Sequence, residues 1–374
     1  MPASADSLGL YIHWPFCASK CPYCDFNSHV AEAVDHDRWR QALLSELSYF
    51  ANETKTRRLS SIFFGGGTPS LMQPQTTAAL IDAAKAHWRP AGDLEVTLEA
   101  NPSTADANRF EAFRDAGVNR LSLGVQSFRD LNLCFLGRGH SADEAIAAIR
   151  LASETFPRFS FDLIYGLPGQ TADDWNQDLD QALALARGHL SVYQLGIEPG
   201  TAFHRDHVQP AAEETGAVMF EICQQRLSGA GLPAYEISNH AAPGFECRHN
   251  LEIWRGGDYV GIGPGAHGHL TDDSVTATIY QIHSPERWLT AVEGNNHGTA
   301  KRLALSPDQR GEEILMTGLR LTEGIGRDLA AGLDPVGLKR MLEGGFLVSD
   351  DAGVRTTATG KLCLNEVLRQ LLVA

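Results

Sequence analysis

The sequence predicts an α/β protein: six β/α units curled into an incomplete barrel, then a smaller unit of helices and a hairpin. Three observations carry this. Short runs rich in β-branched and aromatic residues alternate with longer helix-patterned stretches as far as residue 230. Strict alternation of that kind implies parallel strands joined by right-handed crossovers. Residues able to do chemistry recur just after the strand-like runs, where parallel α/β architectures gather their sites. An open doubly wound sheet is the alternative arrangement of the same units.

The first strand, residues 8–14, is an apolar run that leads into Cys17-Ala18-Ser19-Lys20-Cys21-Pro22-Tyr23-Cys24. Pro15 and Pro22 argue against a continuous helix there, and Pro15 biases Trp14 toward an extended conformation. Eight residues span at most about 28 Å, so the three sulfurs converge only if the backbone curls around something. Free thiolates held together repel and oxidise easily, which points to a metal. The candidates are an iron–sulfur cluster with one iron left without a protein ligand, a structural zinc with His29 as fourth ligand, and a purely structural trio of thiols. Spacing favours the cluster. The usual four-cysteine electron-transfer set is absent locally, because Phe26 stands two residues beyond Cys24.

The remaining strands are read at 61–64, 95–100, 120–125, 159–165 and 190–195, and the helices at 35–51, 75–88, 105–116, 141–154, 172–186 and 213–230. After the second strand comes Gly65-Gly66-Gly67-Thr68-Pro69-Ser70. Its glycines let backbone approach a ligand closely, and its N–H groups can receive a carboxylate; a bare glycine turn is the other reading. Strand three ends at Glu99, strand four at Gln126 with Arg138 beyond it, and strand five carries Asp162. Each alone is commonplace. Their succession on neighbouring strand ends marks a site.

Together with the flanks Tyr11-Ile12-His13-Trp14-Pro15-Phe16-Cys17 and Cys24-Asp25-Phe26-Asn27-Ser28, this motif resembles radical S-adenosylmethionine (SAM) enzymes of the HemN/HemW branch. The resemblance runs over nearly the whole chain. It implies a [4Fe-4S] cluster on Cys17, Cys21 and Cys24, whose open iron is chelated by SAM and whose electron splits the sulfonium to a 5′-deoxyadenosyl radical. It implies SAM contacts from Tyr11, Gly66, Gly67, Thr68, Glu99, Gln126, Arg138 and Asp162. The segment Gly196-Ile197-Glu198-Pro199-Gly200 resembles the border of the family's substrate space.

Farther on, 235–240 reads as a short strand and turn, and 256–268 as a glycine-rich loop. Between them His249-Asn250-Leu251-Glu252-Ile253-Trp254 is similar to the HNxxYW motif of the family's haem-chaperone branch, whose histidine is taken as a haem ligand; Ile253 replaces the tyrosine. On its residues alone, a His beside an Asn is more often a structural pair. The catalytic unit is read as 1–285. The remainder, 286–374, has helices at 308–319 and 336–343, a hairpin at 346–349 and 354–357, and a final helix at 359–372. It resembles the HemN C-terminal winged-helix-like domain, with the role of a lid or partner-docking module.

Three features place the chain nearer the haem chaperones than the oxygen-independent coproporphyrinogen III dehydrogenases. Phe26 stands where the dehydrogenases carry an extra cysteine, only sixteen residues precede Cys17, and the HN…W segment is present. The expected cofactors are the cluster and SAM, with haem as cargo. The expected partner is an acceptor haemoprotein, a membrane-bound respiratory enzyme being one kind. A radical enzyme acting on a non-tetrapyrrole is the third reading.

Composition excludes other classes. A formal charge of −15 and the lack of an aromatic-rich basic run argue against nucleic acid. No apolar stretch approaches the roughly eighteen residues of a membrane span, and residues 1–9 lack a signal sequence's basic and apolar regions. A thiol-ligated centre with Cys134, Cys223, Cys247 and Cys363 scattered elsewhere suits the reducing cytoplasm, with peripheral membrane contact left open.

Overall fold

All six anticipated strands form, as β1 (Ser7–Trp14), β2 (Arg58–Gly66), β3 (Arg89–Ala100), β4 (Arg120–Gln126), β5 (Arg158–Tyr165) and β6 (His189–Gln194). The computed structural model describes residues 6–372, so residues 1–5 of the stretch read for a leader lie outside it. The strands pair in parallel in chain order. Helices α1 (His36–Glu53), α2 (Pro74–His87), α3 (Ala107–Asp115), α4 (Ala142–Thr155) and α5 (Ala172–Leu185) lie in the crossovers, and α6 (Glu213–Gly229) follows β6. Reciprocal capping boxes start two of them, Ser141 with Glu144 and Thr171 with Asp174.

Side chains alternate along each strand. Leu8, Leu10, Ile12, Ile62, Phe64, Leu121, Leu123 and Phe161 belong to the large buried core. The opposite face carries Tyr11, Ser61, Glu99, Ser122, Asp162 and Ser191, so the inside of the curl is polar.

The sheet is larger than the sequence reading. Antiparallel β7 (Asn239–Ala241) extends it beyond β6, and β8 (Tyr259–Ile262) adds in parallel beside β1. Antiparallel β9 (His267–Asp272), β10 (Val275–Gln281) and β11 (Thr299–Ala304) follow. The eleven strands run β11-β10-β9-β8-β1-β2-β3-β4-β5-β6-β7, with β11 and β7 at the two open ends. The glycine-rich stretch 256–268 is therefore not a plain loop but two strands and their turn. Strand Gly261 is required there, since a Cβ on it would fall 1.8 Å from the His267 carbonyl oxygen.

A second core unites Leu315, Leu319, Met341, Leu347, Val354 and Val367. It is built from helices Pro307–Gly318 and Pro335–Glu343 and the hairpin Leu347–Ser349/Gly353–Thr356, with Ile325–Gly326 as a third strand. The last helix is broken near Cys363 into Ala358–Leu362 and Leu364–Leu371. Helix Pro285–Asn295 puts Trp288, Leu289 and Val292 into the large core, so residues just beyond position 285 contribute to the first unit. The buried Glu46 carboxylate of α1 fastens this region by accepting from Trp288 Nε1 at 3.0 Å, Gly263 N at 2.8 Å and Gly298 N at 2.6 Å. Among the described residues no helix is long and apolar enough to cross a membrane.

Candidate cofactor-binding site

The three-cysteine loop leaves β1 and is pinched shut at its base. Phe16 and Cys17 pair in parallel with His29 and Val30, and His29 N donates to the Pro15 carbonyl at 2.7 Å. A ring nitrogen of His13, Nε2, bonds the Asn27 carbonyl at 2.9 Å, and Asn27 Nδ2 donates to the carbonyls of Pro264 and His283, both at 2.9 Å. The loop is thus tied to the β8–β9 turn and to the segment after β10.

Each thiol has a polar neighbour. Thr68 Oγ1 donates to Cys17 Sγ at 3.4 Å, Arg138 Nη1 donates to Cys21 Sγ at 3.3 Å, and Cys24 Sγ lies 3.8 Å from Ser28 Oγ. Burial raises the Cys17 pKa, with the Thr68 hydroxyl pulling it back. Exposed His29 turns its Nε2 to Asn27 Oδ1 at 3.0 Å. Among the described residues no three His, Cys, Asp or Glu side chains are gathered as a single metal ion requires.

The glycines after β2 meet the same loop. Gly67 N donates to the Trp14 carbonyl at 2.7 Å and Thr68 N to the Phe16 carbonyl at 2.9 Å. A Cβ on Gly67 would stand 2.7 Å from Phe16 O; at Gly66, with φ +111°, it would stand 2.7 Å from the His13 ring. Only glycine fits where the two strand ends touch.

A cavity of about 830 Å³ opens at these strand ends, and its wall includes all three cysteines, Gly66, Gly67, Thr68, Glu99, Gln126, Arg138 and Asp162. Burial, then the nearby Asp162 charge, pushes Glu99 up to about 8, against the opposing Gly66 N–H. Burial raises Asp162 to about 6, with the Ser191 hydroxyl and Arg120 opposing. Both carboxyls therefore hold a proton more readily than free ones. Gln126 sits in the left-handed region at φ 75°, where a non-glycine side chain is strained. Tyr193 and Ser122, absent from the sequence reading, also line the wall, as does Glu198. Alternation along their strands was the signal available for both.

Two residues stand apart. Tyr11 is not in the cavity wall; its hydroxyl bonds His13 Nδ1 at 3.1 Å, and its ring stacks near Phe63 and His249 at 6.2 Å from each. Nor does His249 reach the cavity. It is the second residue of helix Arg248–Trp254, only 3 % exposed, stacked on Phe63 at 5.1 Å and bonded through Nδ1 to Ser61 Oγ at 2.9 Å. Its buried Nε2 has no hydrogen-bond partner, and burial lowers its pKa to about 3. The start of that helix is held from below by Glu95, which accepts from Arg248 N at 2.9 Å and pairs with Arg158 at 2.9 Å. The face of Trp254 is covered by the Arg320 guanidinium, 4.5 Å from the ring centre.

Residues 11–182 match the radical SAM superfamily and residues 305–363 the HemN C-terminal domain. The heme chaperone HemW of Haemophilus influenzae is 38% identical over 381 residues, covering 98% of each chain. The chain belongs to the HemN/HemW branch of the radical SAM superfamily. Other relatives are similar over much of their length. HemW of Escherichia coli is 48% identical over 267 residues, covering 71% of this chain and 70% of its own. The mitochondrial radical S-adenosyl methionine domain-containing protein 1 of Danio rerio is 35% identical, covering 100% of this chain and 88% of its own. The solved structure of E. coli coproporphyrinogen III oxidase (HemN) matches with a TM-score of 0.82 at 22% identity, covering 98% of this chain and 90% of that one. It shows that the branch shares this α/β fold.

Proposed function

We propose that the protein is a haem chaperone that carries a three-cysteine [4Fe-4S] cluster with SAM and passes haem to acceptor haemoproteins. Relatives called heme chaperones that span nearly the whole chain support this. The donor set fits the cluster: three separated thiols, each with a polar neighbour, suit a polynuclear centre better than one ion. Cys17, Cys21 and Cys24 would hold it, and Gly66, Gly67, Thr68, Glu99, Gln126, Arg138 and Asp162 would hold SAM. Bound together, the two supply a low-potential electron and a sulfonium it can cleave. Tyr11 would act one step removed, by orienting His13 against the cluster loop. His249 is the haem ligand that the motif suggests. We place the protein in the cytoplasm and assign the C-terminal unit to docking the acceptor.

The observation that carries this reading over porphyrinogen decarboxylation is the charge of the cavity. Its wall holds four acidic side chains, Asp25, Glu99, Asp162 and Glu198, of which burial biases Glu99 and Asp162 toward protonation until a cation binds, against two cations, Lys20 and Arg138. Arg138 is engaged by the Gly124 carbonyl at 2.7 Å and by Cys21, and Lys20 by the carbonyls of Ser28 and Phe26. Coproporphyrinogen III would bring four propionates into this wall, and buried carboxylates need paired cations. The charge suits the cationic sulfonium and ammonium of SAM instead.

Anaerobic reconstitution followed by parallel titrations tests the reading. Stoichiometric haem uptake without turnover of coproporphyrinogen III is expected. Conversion of coproporphyrinogen III with release of 5′-deoxyadenosine would overturn it.

A further inference from the structure

Helix Arg248–Trp254 carries Glu252 three residues after His249, and side chains so spaced on a helix are neighbours. The Glu252 carboxylate accepts from three hydroxyls near the N-terminal ends of β1 and β2. Ser7 Oγ donates to Oε1 at 2.9 Å, and Ser60 Oγ and Ser61 Oγ donate to Oε2 at 2.6 and 3.3 Å. Glu252 also borders a second cavity, of about 400 Å³, with Ser7, Ser60 and Arg248 in its wall. That cavity lies where β1 and β2 begin, at the opposite strand ends from the cluster loop.

Ser61 is the junction. The same oxygen lies 2.9 Å from His249 Nδ1, so a continuous chain runs from Glu252 through Ser61 to the imidazole. Gly9 leaves room for it, since a Cβ there would stand 3.3 Å from both Ser61 Oγ and His249 Nδ1. One hydroxyl has one proton, so it serves either the carboxylate or the ring. Serving the ring would set the Ser61 lone pairs against those of Glu252 at 3.3 Å. It would also put the ring proton on Nε2, a buried donor with nothing to receive it. Serving the carboxylate avoids both conflicts. Nδ1–H then donates to Ser61, Ser61 donates to Glu252, and Nε2 keeps a bare lone pair.

We propose that Ser61 and Glu252 act as positioning residues that hold His249 as the Nδ1–H tautomer, so that Nε2 is ready to bind haem iron. The inference deepens the chaperone reading, on which it rests for the identity of the ligand. The orphaned Nε2 fits that role, because among the described residues nothing competes for its lone pair. Phe63 stacks on the ring at 5.1 Å and Tyr259 stands nearly perpendicular to it at 6.4 Å, so little water reaches the imidazole to move its proton between the two nitrogens. Bonded neighbours must therefore choose the tautomer before haem arrives. Haem has to displace packed side chains to reach this nitrogen, and Ser61, fixed on β2, holds Nδ1 while it does. A histidine ligand whose other N–H is hydrogen-bonded toward a carboxylate is also the more basic donor. Here the carboxylate acts through a serine.

Nitrogen-15 magnetic resonance of the cluster-reconstituted, haem-free full chain, labelled at histidine, tests this, because a bare ring nitrogen and a protonated one resonate far apart. His249→Gln assigns the signals. A protonated Nδ1 and a bare Nε2 are expected in the parent. In Ser61→Ala the proton should move, in part or wholly, to Nε2, and ferric haem affinity should fall about tenfold or more. Ser61→Thr, which keeps the hydroxyl, should restore both. Glu252→Gln removes the charge but keeps the side chain's shape; in its ferrous haem complex the iron–histidine stretching vibration should drop in frequency, a shift that a merely structural role would not produce. A parent with Nε2 protonated would overturn the proposal, as would an unmoved tautomer and unchanged haem affinity in Ser61→Ala; either result leaves the chaperone reading standing. Failure of the parent protein to bind haem would overturn the chaperone reading and with it this use of Nε2, even with the tautomer as expected.

Discussion

Arg138 donates to Cys21 Sγ at 3.3 Å and to the Gly124 carbonyl at 2.7 Å, so one guanidinium joins the middle thiol to the end of β4. Positive charge and hydrogen bonds at a cluster sulfur stabilise the reduced state. Arg138→Leu should therefore keep the cluster but lower its reduction potential by tens of millivolts, where ~59 mV is a tenfold change for one electron. Redox titration read by electron paramagnetic resonance measures it. A potential equal to the parent's would refute the role.

The three thiols act as one set on a half-buried loop pinched at Phe16–Cys17 and His29–Val30. Serine at any one of Cys17, Cys21 or Cys24 should abolish the brown absorbance and the iron content. The fold should survive, because these side chains contribute little to the core. Iron analysis alongside circular dichroism separates the two effects.

Glu99 sets a pH dependence. Its folded pKa is about 8 against an ordinary 4.5, so the folded state keeps a proton that the unfolded chain has released. Stability of the cofactor-free protein should accordingly fall as pH rises from about 4.5 to about 8, then level off; Asp162, raised to about 6, adds to the lower half of that window. Glu99→Gln should flatten this slope and weaken SAM binding. In the parent protein, SAM binding near neutral pH should release a fraction of a proton, up to about one, which calorimetry in buffers of different ionisation enthalpy detects.

Gln126 holds φ 75° at the cavity wall. Gln126→Gly relieves a conformation that costs a non-glycine residue about 1 kcal/mol or more. The variant should be as stable as the parent or slightly more so, yet bind SAM more weakly. Chemical denaturation and equilibrium binding on the same sample would show whether strain and function separate in this way.

Glu46 is completely buried and accepts from Trp288 and two backbone N–H groups. Glu46→Ala strands those donors and should cost about 3 kcal/mol or more. Glu46→Gln, which keeps an acceptor, should cost less. Urea unfolding measures both, and a loss under 1 kcal/mol in the alanine variant would show that the network is dispensable.

Much of the larger unit was legible in the chain itself. The six strands and their helices follow from periodicity and from caps such as Ser141 and Thr171, which act within a few residues. What escaped depends on neighbours distant in sequence. Strand β8 is four residues long with a central glycine, and it becomes a strand only because β1 offers an open edge. The final helix breaks at Cys363 although its apolar pattern continues.

The site divides in the same way. Spacing alone announced Cys17, Cys21 and Cys24, and strand ends announced Glu99 and Gln126, because a parallel strand delivers its last residues to a common mouth; Asp162, in the middle of β5, was singled out by the resemblance. Tertiary structure alone decided that Tyr11 turns to His13 and that His249 is buried away from the cavity wall. Sequence encodes local periodicity and short-range geometry; cross-strand register and desolvation arise only when remote segments meet, and those two quantities determine which of these side chains can reach a ligand.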